Sequence, residues 1–204
     1  MKKIFLASSF KDVSNLFSEF EKNYEGKTVT FIPTASKVEK VVFYLESAKK
    51  EFEKLGIIID LLDISESSQE QINSKLRSND YIYISGGNSF YLLQELKRTG
   101  ADKIIIEEVN AGKLYIGESA GSIITSGNIE YIKAMDSYKK APDLIDFDAL
   151  NLVDFYTVPH VNNFPFKKSA QQIINTYSKD LPLAPISNNE AILVSGNEIT
   201  IKKN

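Results

Sequence analysis

The chain has no cysteine and only one histidine, His160, among its 204 residues. The first absence removes disulfides, thiolate metal sites and cysteine nucleophiles together, and it fits a reducing compartment. The second confines imidazole chemistry to one place. One histidine without cysteine does not build the usual zinc sites, and H-E-x-x-H is missing. Carboxylates alone remain as ligands for Mg²⁺, and neither metal nor cofactor is expected. Basic charge is not in excess: 24 Lys and Arg stand against 27 Asp and Glu. A nucleic-acid surface usually needs a basic patch, so no such partner is expected. The phosphate loop G-x-x-x-x-G-K-[ST] and the dinucleotide fingerprint G-x-G-x-x-G are both missing. No apolar run approaches the roughly 18–20 residues of a membrane span. The apolar start Ile4-Phe5-Leu6-Ala7 stops at Ser8-Ser9, short of the about 7–15 residues of a signal-peptide core. It reads as a first β-strand. These exclusions leave one soluble cytoplasmic domain over residues 1–204, with no membrane partner and with homodimerisation left open.

What is present alternates. Strands are expected at 2–7, 28–32, 57–62, 80–85 and 114–116. Helices are expected at 12–24, 38–55, 67–77, 90–97 and 102–110, from apolar residues at helical spacing. The run 57–62 is apolar apart from Asp60 and is read as a strand buried on both faces. Such alternation argues an α/β fold: a mostly parallel sheet with helices on both faces. Beyond residue 128 the pattern loosens. A short strand at 155–158 leads to Pro159-His160, a helix follows over 165–177, and short strands at 183–184, 191–194 and 199–201 end the chain, the last two joined by a turn at Gly196-Asn197. The polar stretch 136–148 reads as a loop.

The most informative segment is Leu114-Tyr115-Ile116-Gly117-Glu118-Ser119-Ala120-Gly121-Ser122-Ile123-Ile124. It is an apolar strand, a G-x-S-x-G turn and a helix start, the sequence form of a nucleophile elbow placed after a central strand. Side chains at either glycine would crowd the turn. In an elbow the Ser119 hydroxyl is accessible, and the Ala120 N–H points into the same space as a donor for an oxyanion. Gly86-Gly87-Asn88 lies at another strand's C-terminal end, where open α/β sheets place their sites. Gly87 offers a second backbone N–H there. Asn88 stands beside it as a substrate contact or as the cap of the next helix. His160 is the one available base, also at a strand end. A neutral imidazole takes the Ser119 proton and returns it to the leaving amine. The base needs an acceptor to fix its tautomer. Glu190, just ahead of an apolar strand, is favoured over Asp136, with Asp154 behind both.

Together, Ile84-Ser85-Gly86-Gly87-Asn88-Ser89-Phe90-Tyr91-Leu92-Leu93, Tyr115–Gly121 and Val158-Pro159-His160 resemble the dipeptidase E family. These are serine peptidases related to cyanophycinase, with a fold similar to class I glutamine amidotransferases. The resemblance spans nearly the whole chain. It implies Ser119 as nucleophile, His160 as base and the Gly87 and Ala120 amides as oxyanion donors, with the acidic member near Asp136 or at Glu190. It also implies an arginine downstream of the histidine that reads an N-terminal aspartate of the substrate. The segment 164–172 carries no arginine; Lys167 and Lys168 stand there without the planar bidentate fork. The expected activity is hydrolysis of short peptides, as a dipeptidase or N-terminal exopeptidase, through an acyl-enzyme. The alternatives are an esterase of the α/β-hydrolase kind and a non-catalytic small-molecule-binding domain of the same fold.

Overall fold

Apolar residues at period two make strands, and those at helical spacing make helices. The computed structural model describes residues 1–204 and places these elements in alternation. The first half runs β1 (Lys3–Ala7), α1 (Phe10–Phe20), β2 (Thr28–Ile32), α2 (Phe43–Lys54), β3 (Ile58–Leu61), α3 (Gln69–Ser78), β4 (Tyr81–Ile84), α4 (Ser89–Thr99), α5 (Ala101–Asn110) and β5 (Leu114–Glu118). The second half runs α6 (Ala120–Ile123), β6 (Tyr156–Val158), α7 (Lys167–Tyr177), β7 (Leu183–Pro185), β8 (Glu190–Ser195) and β9 (Glu198–Lys203).

Seven strands form one sheet in the order β3-β2-β4-β5-β1-β8-β9. The first five are parallel, while β8 and β9 run antiparallel at one side. Alternation along each strand splits the core in two. Phe5, Phe31 and Tyr83 face α1 and α2, where Phe10 and Phe52 stack at 4.5 Å. Ile4, Leu6, Ile82 and Ile84 face the helices α3 to α7 on the other side. Both faces of the central strands are therefore dry, which is how parallel sheets are stabilised.

Two sequence expectations are corrected. The strand expected at 57–62 is not buried on both faces. It becomes the edge strand β3, paired only with β2, and Ile58 and Leu61 are 57% and 50% exposed. An apolar run reports hydrophobicity, not the number of neighbours a strand has. The single helix expected over 38–55 is broken: a 3₁₀ turn covers Thr34–Val38 and α2 begins only at Phe43. Val41 and Val42 are exposed, so no burial there offsets the entropy of extending the helix.

A second, two-stranded parallel sheet pairs β6 with β7, with Val158 opposite Pro185. Because the two strands run in the same direction, the segments that follow them emerge side by side. Those segments carry His160 and Asn188. In the main sheet β4, β5 and β1 are neighbours, so the turns after Ile84, Glu118 and Ala7 also share one rim. The site is assembled where these two sets of strand ends meet.

Candidate active site

Ser119 occupies the turn between β5 and α6 with φ 51° and ψ −105°. A positive φ at a non-glycine residue costs energy, and it persists where surrounding bonds over-determine it. Here they do. The Ser119 N–H donates to Ala7 O at 2.9 Å, and its carbonyl accepts from both Ser122 N and Ile123 N at 2.9 Å. The turn is also sterically closed. A Cβ on Gly121 would lie 2.1 Å from Ile84 O, and one on Gly117 would lie 2.5 Å from Gly121 O. Both glycines of the G-x-S-x-G motif are thus required by close backbone approach. Beneath them Ser122 Oγ, within 2.9 Å of the Gly117 and Ala7 carbonyls, and the Tyr115 hydroxyl, donating to Gly121 O, pin α6 to the sheet.

His160 reaches this turn from the other sheet. Its Nε2 is 2.9 Å from Ser119 Oγ. Its backbone is left-handed at φ 61° and is held by Ser8, whose Oγ accepts from the His160 N–H at 2.9 Å and donates to Ile186 O at 3.2 Å. The Phe166 ring stacks on the imidazole at 4.8 Å. Burial pushes the His160 pKa below its ordinary 6.5, and the hydrogen bond with Asn188 pulls the other way. The neutral ring is therefore favoured near pH 7, the form that accepts a proton.

The imidazole's third partner differs from the expectation. Nδ1 lies 2.8 Å from Asn188 Oδ1. An amide oxygen only accepts, so this contact places the proton on Nδ1 and the lone pair on Nε2, facing the serine. Glu190 does not reach the ring. Its Oε2 accepts from Ser187 N at 2.7 Å, and that backbone bond holds its carboxyl below the usual range. It closes the loop that carries Asn188. Asp136 is half-buried and accepts from Ser89 N at 2.8 Å at the start of α4; desolvation of its carboxyl raises its pKa to about 6. Asp154 is not paired with the ring either. Charge favours a carboxylate at this position, whereas the parallel register of β6 and β7 decides which residue stands beside His160. Asn188 lies in Ser187-Asn188-Asn189-Glu190, and an amide can orient a catalytic imidazole; that was the available signal. Ser8 left no sequence signal.

The Gly86-Gly87 turn lies against the elbow, since a Cβ on Gly86 would be 3.3 Å from the Ser119 Cβ. Gly87 has φ 136°, and a Cβ there would meet the Ala35 backbone at 2.2 Å, so no other residue fits. Its N–H donates to no backbone acceptor. Ala120 opens α6, and the first N–H groups of a helix have no acceptor within it. Asn88 is corrected to a cap. Its Oδ1 accepts from Tyr91 N at 2.9 Å and its Nδ2 donates to Ser137 O at 3.1 Å, so the side chain is committed to the start of α4. No cluster of three or more His, Cys, Asp or Glu side chains is arranged to hold a metal ion, and no helix is long and apolar enough to cross a membrane. A surface hollow of about 350 Å³ beside Tyr131 and Tyr177 is lined by neither Ser119, His160, Asn188 nor the Gly86-Gly87 turn.

Known proteins of similar sequence and structure cover nearly the whole chain. Residues 4–202 match the model of peptidase family S51. The chain belongs to that family. It is 63% identical over 202 residues to an uncharacterized peptidase of Listeria innocua, covering 99% of this chain and 97% of the relative. It is 33% identical over 145 residues to peptidase E of a Nostoc species, covering 70% of this chain and 57% of that one. A crystal structure of a putative peptidase E protein from Listeria monocytogenes superposes with a TM-score of 0.97 at 60% identity, covering 100% and 99% of the two chains. A peptidase from an acI-B1 Actinobacterium shares the fold at a TM-score of 0.71 and 20% identity, over 100% of this chain and 88% of the other. The chain is thus a member of a peptidase family, with the α/β fold of the Listeria monocytogenes structure.

Proposed function

We propose that the chain is a serine-type peptidase that cleaves short peptides, as a dipeptidase or by removing an N-terminal residue, in the cytoplasm. The observation that carries this reading is the 2.9 Å contact between Ser119 Oγ and His160 Nε2, with Asn188 on the far side of the ring. His160 takes the hydroxyl proton as Ser119 attacks the scissile carbonyl. The Gly87 and Ala120 N–H groups receive the negative charge that develops on the carbonyl oxygen. The tetrahedral adduct collapses, His160 protonates the leaving amine, and an acyl-enzyme remains. Water, deprotonated by His160, then releases the acid. Asn188 orients the ring but brings no charge to the imidazolium. The absence of cysteine supports a reducing compartment.

An organophosphonate probe and a peptide-library digest, run on wild type and Ser119→Ala, test this. Labelling at Ser119 and peptide cleavage, both lost in the variant, are expected. Fast p-nitrophenyl acetate turnover without peptide cleavage would favour an esterase, and no labelling at all would leave a binding domain.

A further inference from the structure

Glu118 directly precedes Ser119, is 3% exposed, and takes no part in the steps above. Its carboxylate gathers donors from two other strand ends. One oxygen accepts from the Phe10 N–H at 2.8 Å, at the start of α1. The other accepts a short hydrogen bond from the Tyr83 hydroxyl on β4. The Gly86 N–H lies near the same carboxylate without closing a hydrogen bond on it. All these neighbours donate, so the position suits an acceptor with two oxygens. Tyr83 packs among Phe10, Phe31 and Phe52, where an apolar side chain would avoid the cost of burying a polar group. Packing alone does not explain a carboxylate here.

What Glu118 touches is the support of the oxyanion site. The Gly86-Gly87 turn is anchored on one side by the Asn88 N–H, which donates to Ala35 O at 2.8 Å. On the other side it meets the elbow, with Gly86 against the Ser119 Cβ. A shift of this turn changes the separation between the nucleophile and the Gly87 N–H. We propose that Glu118 is a positioning residue: it clamps the β4–α4 turn and the start of α1 to the elbow, and through the turn it holds the Gly87 amide where the oxyanion forms. The proposal rests on the reading of Ser119 as the nucleophile. Glu118 itself touches neither substrate nor reacting atoms.

Glu118→Gln tests it. The amide keeps the size and one acceptor but turns a donor toward donors. Turnover is expected to fall about tenfold or more, short of the ~10²–10³-fold loss on deleting an oxyanion donor. KM should stay near wild type, the melting temperature should fall as a buried donor loses its acceptor, and phosphonate labelling at Ser119 should slow in parallel with kcat. Tyr83→Phe removes one donor and leaves the carboxylate; it should give the same pattern more weakly, and it decides alone should Glu118→Gln not fold. Wild-type labelling rates and kcat in the folded variants would overturn the clamp while leaving the serine-peptidase reading intact. So would a raised KM with kcat unchanged. If wild type itself is not labelled, the reading of Ser119 fails and the clamp falls with it.

Discussion

Asn188 Oδ1 lies 2.8 Å from His160 Nδ1, so the group that orients the imidazole is a neutral amide. Ser119, His160 and Asn188 come from three separate strand ends, and the orienting member carries no charge with which to raise the basicity of the ring.

That neutrality sets a titration. Burial holds the His160 pKa below 6.5. Asn188→Asp puts an anion at the same place, favours imidazolium and moves the pKa up by roughly one unit or more. Because the chain has one histidine, its ring resonances in a ¹H NMR titration report this without overlap. A midpoint in Asn188→Asp at or below that of wild type would refute the assigned contact.

The same contact ranks three substitutions. Asn188→Ala loses the tautomer lock and should lower kcat on the order of 10²-fold. Glu190→Gln keeps an acceptor for the Ser187 N–H and should cost much less. Asp136→Asn, which lies at the start of α4 and away from the ring, should cost least. Steady-state kinetics on one peptide, comparing the three, checks the order.

Asp136 has a stability effect instead. Burial lifts its pKa from 3.8 to about 6, against the opposing hydrogen bond from the Ser89 N–H. Between those values the folded protein holds a proton that the unfolded chain has released, so stability falls as pH rises across the window. Asp136→Asn removes this dependence and should flatten the urea-unfolding free energy between pH 4 and 7 by up to about 3 kcal/mol. Glu118, raised to about 7 by burial, contributes in the same direction, while His160, held below 6.5, contributes the opposite slope. An unchanged slope in Asp136→Asn would show that the carboxyl titrates normally.

Ser8 holds the His160 backbone while making no contact with the ring itself. Ser8→Ala leaves the His160 N–H and the Ile186 carbonyl without this partner. A loss of about 1–3 kcal/mol of stability is expected, together with a fall in kcat at unchanged KM. Denaturant melts and kinetics read the two effects separately.

The elbow tolerates no side chain at its second glycine. Gly121→Ala drives a methyl to 2.1 Å from Ile84 O, which forces α6 away from β4. Destabilisation beyond about 3 kcal/mol is expected, seen as a large drop in melting temperature or loss of soluble protein. A fully stable variant would mean that the turn has more room than the backbone approach indicates.

The alternation of strands and helices, the elbow with its two glycines, the glycine turn after β4 and the single histidine are all legible along the chain. Each of these is local. Periodicity follows from side-chain direction along the backbone, and a tight turn demands glycine wherever it occurs. Packing in three dimensions is what sets β3 at an edge, interrupts the helix at residues 39–42, and turns Asn188 instead of Glu190 toward His160. Asn88 is likewise a cap because Ser137 and Tyr91 surround it. Those outcomes depend on which segments meet in space. The pairing of Val158 with Pro185 sets residue 188 beside residue 160, and no charge or spacing within the loop records that register.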